Sequence, residues 1–389
     1  MIKKLFIILL TFAQFCASGQ TFQIGHITVT FVDSSRSNRA VATEIYYPAD
    51  VAGDNQAFAS TLAVAPVISF GHGFVMTYDA YFNFRDLLVP KGYILAFPKT
   101  EGSLSPSHSD FGKDLSFVLK SINKQGLLSS SILYGKVDTF NCVMGHSMGG
   151  GASLLAVQSD PSIKSIVTFA AAETTPSAIA ASSAVKIPAL FFAGVNDCVS
   201  PPVSNQQPMY VAAMSDCKHY IGIKGGSHCQ MAESNVACSF GEATCSPAPT
   251  ISRATQHKII DSYLLPWLDY TLKASCTSGL QFNNLLAADT SVSYLKNCNL
   301  CNSSSVANLS ASPQISVYPN PSADWVSFDH IPLNCTQLVI TNITGENIAT
   351  YPLQGRLSLS VKDYASGIYL YKIIGHNTAP IVGKLQVRH

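Results

Sequence analysis

At 389 residues the chain is long enough for about two domains with substantial cores. Hydrophobic residues make up 47% and charged residues only 12%, which excludes a disordered protein. A formal charge of +1 gives no electrostatic case for nucleic acid, so a neutral or apolar small-molecule or polymer partner is expected instead.

Met1-Ile2-Lys3-Lys4, the apolar run from Leu5 to Phe15 and the small residues Ala17, Ser18 and Gly19 read as a cleaved secretory signal over residues 1–20. Cys16 follows the bulky Phe15, which does not suit a lipoprotein signal. No later stretch carries ~18 uninterrupted apolar residues, so no transmembrane segment is expected. Of eleven cysteines, Cys16 falls in the signal, and the other ten are concentrated from Cys198 onward. In an exported chain these read mostly as disulfides. Cys198, Cys217, Cys229, Cys238, Cys245 and Cys276 could make three bridges, whose pairing is open. Cys142 reads as a buried thiol. Cys298-x-x-Cys301 reads as a disulfide rather than half a zinc site, because no second pair with metal-ligand spacing follows it.

Thr21 to Phe31 and Ala40 to Tyr47 are rich in β-branched and aromatic residues around a polar turn, a hairpin-like entry. Val64 to Phe70 reads as a strand ending at Gly71-His72-Gly73-Phe74. A helix is expected over Tyr78 to Leu88, a strand over Tyr93 to Phe97 and a helix over Phe111 to Ile122. Asp138 to Met144 reads as a buried strand running into Gly145-His146-Ser147-Met148-Gly149-Gly150-Gly151, after which Ala152 to Val157 continues as a helix. Strands follow over Ile163 to Phe169, Ile187 to Ala193 and His219 to Ile223. A long helix from Thr255 to Leu272 carries Pro266 as an expected kink or break. Alternating strands and helices predict a mostly parallel sheet flanked by helices.

Strand, Gly-x-Ser-x-Gly and helix form a nucleophile elbow, a sharp turn that exposes Ser147 where a base can reach it. Alone the pattern is weak, since a Gly-rich turn has the same look. Asp197, in Gly194-Val195-Asn196-Asp197, and His228, in Gly225-Gly226-Ser227-His228, each follow an expected strand and complete the order nucleophile, acid, base. Ser147 is thus the expected nucleophile, His228 the general base and Asp197 the residue that orients it. The amides of Phe74 and Met148 are the expected oxyanion donors. His72 and His146 read as packing or hydrogen-bonding residues. Such chemistry needs no metal and no cofactor.

These motifs, over roughly residues 60 to 275, resemble the secreted cutinase-like polyester hydrolases, including poly(ethylene terephthalate) hydrolases. The resemblance implies an α/β-hydrolase fold, Ser147, Asp197 and His228 as the triad, and Phe74 and Met148 as oxyanion donors. Ungapped counting from Ser147 reaches Ala172 where plastic-degrading members commonly carry a tryptophan, and the cysteines beside Asp197 and His228 sit differently from that family's bridge.

Residues 277–313 turn polar and read as a linker after a catalytic domain over 21–276. Residues 314–389 hold six short alternating stretches that suggest a small β-sandwich. Tyr318-Pro319-Asn320-Pro321, Ala365-Ser366-Gly367-Ile368-Tyr369 and Gly383-Lys384 resemble the C-terminal sorting domain of the type IX secretion system. That resemblance implies export across an outer membrane, the secretion machinery as partner, and removal of the tail. The expected protein is a secreted or cell-surface serine ester hydrolase acting on a neutral or apolar ester, polymeric substrates included. A lipase, a chlorophyllase-like esterase, a peptidase and a non-catalytic surface-binding protein are the alternatives.

Overall fold

The computed structural model describes residues 21–301, 315–329, 331, 335–353, 357–375 and 380–389. The expected signal over 1–20 and the Ser303-Ser304-Ser305 stretch of the expected linker lie outside the described residues. The chain divides into two compact units between Asn302 and Ser303.

In the first unit, β1 (Gln23–Asp33) and β2 (Arg39–Ala49) form an antiparallel hairpin, followed by the short β3 (Gly53–Asp54). Then come β4 (Ala65–Gly71), a 3-10 turn over Tyr78–Tyr81, α1 (Phe82–Leu88), β5 (Ile94–Pro98), α2 (His108–Gln125), β6 (Val137–His146) and α3 (Met148–Ser159). They are followed by β7 (Ser165–Phe169), α4 (Ala178–Ser182), β8 (Ala189–Gly194), α5 (Gln206–Ala212) and β9 (Lys218–Ile223). The unit closes with α6 (Val236–Glu242), α7 (Arg253–Lys273), α8 (Cys276–Ala288) and β10 (Val292–Lys296).

The ten strands make one sheet in the order β10-β9-β8-β7-β6-β4-β5-β2-β1-β3. The block from β9 to β5 is parallel, and β10 and β2 join its edges antiparallel. Parallel strands covered on both faces need apolar residues throughout, which is why Ala65–Gly71 and Ala189–Gly194 are buried from end to end. Successive side chains alternate between faces. Val67, Val143, Ile166 and Phe191 join Leu115, Val118 and Leu154 of α2 and α3 in one core. Ile68, Met144, Val167 and Phe192 join Phe84, Tyr263 and Trp267 of α1 and α7 in the other. The strand order reverses at β4, between β5 and β6, and in open sheets of this kind the crevice beyond such a point holds the site.

Three expectations need correction. Residues 277–301 are no linker: α8 buries Gly279, Phe282 and Leu286, and β10 pairs with β9 from Val292↔Ile223 to Lys296↔His219. Pro266 does not break α7, which runs through it as a single 21-residue helix. The burial of Tyr263, Leu264, Trp267 and Leu268 around Pro266 outweighs the local cost of the proline. Cys298 and Cys301 are not bonded to one another; the bridges are Cys198–Cys245, Cys217–Cys298, Cys229–Cys238 and Cys276–Cys301. Cys142 is a buried free thiol. Cys217, His219 and Cys298 lie close enough together for a metal, but the two sulfurs are spent on their mutual bond.

The second unit contains two antiparallel sheets. One joins β11 (Ser316–Tyr318), β12 (Trp325–Asp329) and β15 (Leu357–Ser360); the other orders β14 (Asn347–Pro352), β13 (Cys335–Asn342), β16 (Gly367–Gly375) and β17 (Ile381–Val387). Val326, Phe328, Leu338, Ile340, Tyr371 and Leu385 share one core. The strand over Asn347–Pro352 adds a seventh to the six expected. No helix among the described residues is long and apolar enough to cross a membrane.

On α7, burial pushes the Asp261 carboxyl up from 3.8 to about 6. The folded state therefore holds a proton that the unfolded chain releases, so this residue costs stability as pH rises from 3.8 to about 6. Asp261→Asn should stabilise the protein by about 1–2 kcal/mol at about pH 8, allowing for partial exposure, and by almost nothing near about pH 3.5. Urea denaturation at the two pH values measures the difference.

Candidate active site

The turn after β6 is shaped by close backbone approach. A Cβ on Gly71 would lie 2.9 Å from Gly149 Cα, one on Gly145 would run into the Gly149 carbonyl, and one on Gly149 into the Gly71 carbonyl. Only glycine lets the first turn of α3 press onto the ends of β4 and β6. Ser147, between them, is driven to φ 55° and ψ −122°, a left-handed conformation that a residue with a side chain rarely adopts. Its backbone is held by Ser147 N–H donating to the Phe169 carbonyl at 3.0 Å, and by its own carbonyl accepting from Gly151 at 3.1 Å and Ala172 at 2.9 Å.

Ser147 occupies the N-cap of α3, a position where serine normally spends its hydroxyl on an exposed helix amide. Here it makes no cap bond. Among the described residues Ser147 Oγ and His228 Nε2 each make no hydrogen bond, while His228 Nδ1 is engaged by Asp197 and Ser200. They are not bonded to one another. The His146 ring, one residue from Ser147, packs against the His228 ring at a centroid distance of 4.7 Å.

The loops that carry Asp197 and His228 are joined by the same device. A Cβ on Gly194 would lie 2.7 Å from the Gly226 carbonyl, and across this contact Asn196 N–H donates to the Gly226 carbonyl at 2.9 Å. Gly225 supplies the positive φ of 72° that the loop requires. Asp197 Oδ1 accepts from the amides of Val199 at 2.9 Å and Ser200 at 2.8 Å, while Oδ2 lies 2.8 Å from His228 Nδ1. Both side chains are buried. An acceptor on Nδ1 fixes the tautomer with its lone pair on Nε2, the form a general base needs.

α7 clamps the histidine loop from outside. Gln256 accepts from Ser227 N–H and donates to the Ser227 carbonyl, both at 2.9 Å, and Arg253 donates to the carbonyls of Cys229 and Ala232. Two disulfides start at the neighbours of Asp197 and His228, Cys198–Cys245 and Cys229–Cys238.

A Cβ on Gly149, next to Met148, would run into the Gly71 and His72 carbonyls, and neither the Phe74 nor the Met148 amide donates to another backbone carbonyl among the described residues. Phe74 is half-exposed at 49%, while Met148 is buried. His72 faces the carbonyls of Gly73 at 2.8 Å and Thr100 at 2.9 Å. Ala172 is partly buried behind the elbow.

Sequence reasoning missed Ser200 and Gln206. Ser200 Oγ lies 3.0 Å from both Asp197 Oδ2 and His228 Nδ1 and 2.9 Å from the Ala170 carbonyl. Gln206 Nε2 reaches Ser200 Oγ and the Ser200 carbonyl, each at 3.2 Å. The available signal was Asp197-x-x-Ser200, a serine placed to fold back on the aspartate.

Two family models match the chain. One, described as PET hydrolase-like, covers residues 13–245, more than half of the 389; the other, a secretion system C-terminal sorting domain, covers residues 316–388.

Ser200→Ala takes a buried partner from both Gln206 and the Ala170 carbonyl. It should lower stability by about 1–3 kcal/mol, read as a lower urea midpoint at unchanged m-value.

Proposed function

The chain belongs to the PET hydrolase-like family, and from that premise we propose that it is a serine ester hydrolase working through an acyl-enzyme. The supporting observation is the buried Asp197–His228 pair at 2.8 Å beside a strained serine whose hydroxyl is left uncommitted. His228 Nε2 takes the proton from Ser147 Oγ as it attacks the ester carbonyl, then returns it to the departing alcohol. Asp197 holds the imidazole and stabilises its cationic form. The amides of Met148, first in α3, and Phe74 face the developing oxyanion. Water then enters by the same base catalysis and releases the acid.

The preferred substrate is a neutral or apolar ester, for which the half-exposed Phe74 ring supplies an acyl-side wall. Polymeric esters are included, because only the five-residue α4 stands between β7 and β8 and no large lid is built there. The C-terminal unit is a type IX secretion sorting domain, which makes that machinery a partner and assigns the protein to export across the outer membrane. Residues 1–20 would serve as the signal for the first step, and the tail would be removed after the second.

The test is hydrolysis of p-nitrophenyl esters of increasing chain length beside an aromatic polyester film, with the wild type and Ser147→Ala. The substitution should reduce ester turnover by at least ~10³-fold. Turnover that survives would overturn Ser147 as nucleophile, and a folded wild type that neither turns over esters nor takes a fluorophosphonate on Ser147 would favour a binding protein.

A further inference from the structure

Tyr81 closes the 3-10 turn before α1, and His146 is the last residue of β6; both side chains are fully buried. Their contacts form a chain. Gly73 N–H donates to Tyr81 Oη at 2.7 Å, Tyr81 Oη lies 3.0 Å from His146 Nδ1, and His146 Nε2 lies 3.1 Å from the His228 carbonyl. The direction of every bond is determined. A carbonyl only accepts, so His146 Nε2 carries the proton; burial and the neighbouring His228 ring hold its imidazole well below the ordinary histidine range, so Nδ1 is bare. Nδ1 must then accept from the Tyr81 hydroxyl, which burial keeps protonated. Met76 Sδ, 3.2 Å from the same hydroxyl, is the weaker acceptor.

Each end of the chain lies at a part of the proposed machinery. Gly73 precedes Phe74, His146 precedes Ser147, and the last acceptor belongs to His228 itself. The chain closes only because position 73 is glycine: a Cβ there would lie 2.8 Å from Met76 Sδ, 3.1 Å from Tyr81 Oη and 3.3 Å from His146 Nδ1.

We propose that Tyr81 and His146 are positioning residues, whose one-directional hydrogen-bond chain holds the Phe74 oxyanion donor and the His228 base in register with the Ser147 nucleophile. This rests on the esterase reading above. Misplacement of two partners relative to a third acts on the transition state more than on substrate binding, so kcat should carry the effect.

Kinetics on p-nitrophenyl butyrate with the full chain provide the first test. Tyr81→Phe should lower kcat about 10- to 100-fold with KM within about twofold. His146→Gln, which can still donate to the His228 carbonyl and accept from Tyr81, should retain several-fold more kcat than the similarly sized His146→Leu. A Tyr81→Phe enzyme that loses thermal stability but keeps its kcat, or equal losses in the Gln and Leu variants, would overturn the proposal. The second test needs no activity. Imidazole nitrogen NMR of the wild type, assigned against His146→Gln, should show His146 as the neutral Nε2–H tautomer at about pH 7. An Nδ1–H tautomer or a protonated ring would overturn the chain even if ester turnover were never found, whereas absent turnover with the expected tautomer would count against the esterase reading alone.

Discussion

The architecture depends on a contact in which side chains have no part: the first turn of α3 seated directly on the backbone at the ends of β4 and β6. Gly71, Gly145 and Gly149 permit it, and a single Cβ at any of the three would collide with facing backbone. The consequence falls on Ser147. Holding a serine at positive φ costs on the order of 1–3 kcal/mol, sustained here by three backbone hydrogen bonds and the packed strands on either side. At this conformation the hydroxyl takes no part in capping the helix. The same contact sets the Gly71-His72 backbone against Gly149, so the end of β4 and the turn that holds Ser147 share one mechanical origin.

The loops of Asp197 and His228 meet by a second close approach, Gly194 against Gly226, stabilised from the far side by α7. A glutamine amide imitates a strand partner for Ser227, and an arginine gathers the carbonyls that follow His228. Helices on the back of an α/β sheet usually supply apolar cover. α7 supplies that as well, through Tyr263, Leu264 and Trp267, so the residue types of one helix serve both the core and the placement of an imidazole.

Much of this was legible in the residues. The largely apolar, wholly buried runs of β4, β7 and β8 and the glycines around Ser147 and His228 act locally, through steric demand and burial, and so leave a trace in a single sequence. What remained hidden depends on distant partners. Cysteine pairing is set by which loops meet, so Cys298 and Cys301 looked like a pair and are not. The 277–301 stretch is polar in composition, yet Gly279, Phe282 and Leu286 recur at helical spacing, and Val292 finds β9 only because the sheet edge is open there. Pro266 followed a local rule that surrounding packing overrode. Ser200 bears on the site only once the turn after Asp197 has folded back.

Two of the four bridges among the described residues begin at the immediate neighbours of Asp197 and His228, and both end in the span from Cys238 to Cys245. Thiols stay reduced in a bacterial cytoplasm and couple only beyond it. A newly made chain therefore travels with the loops of Asp197 and His228 unfastened, and their arrangement becomes permanent only after the protein has left the compartment in which it was made.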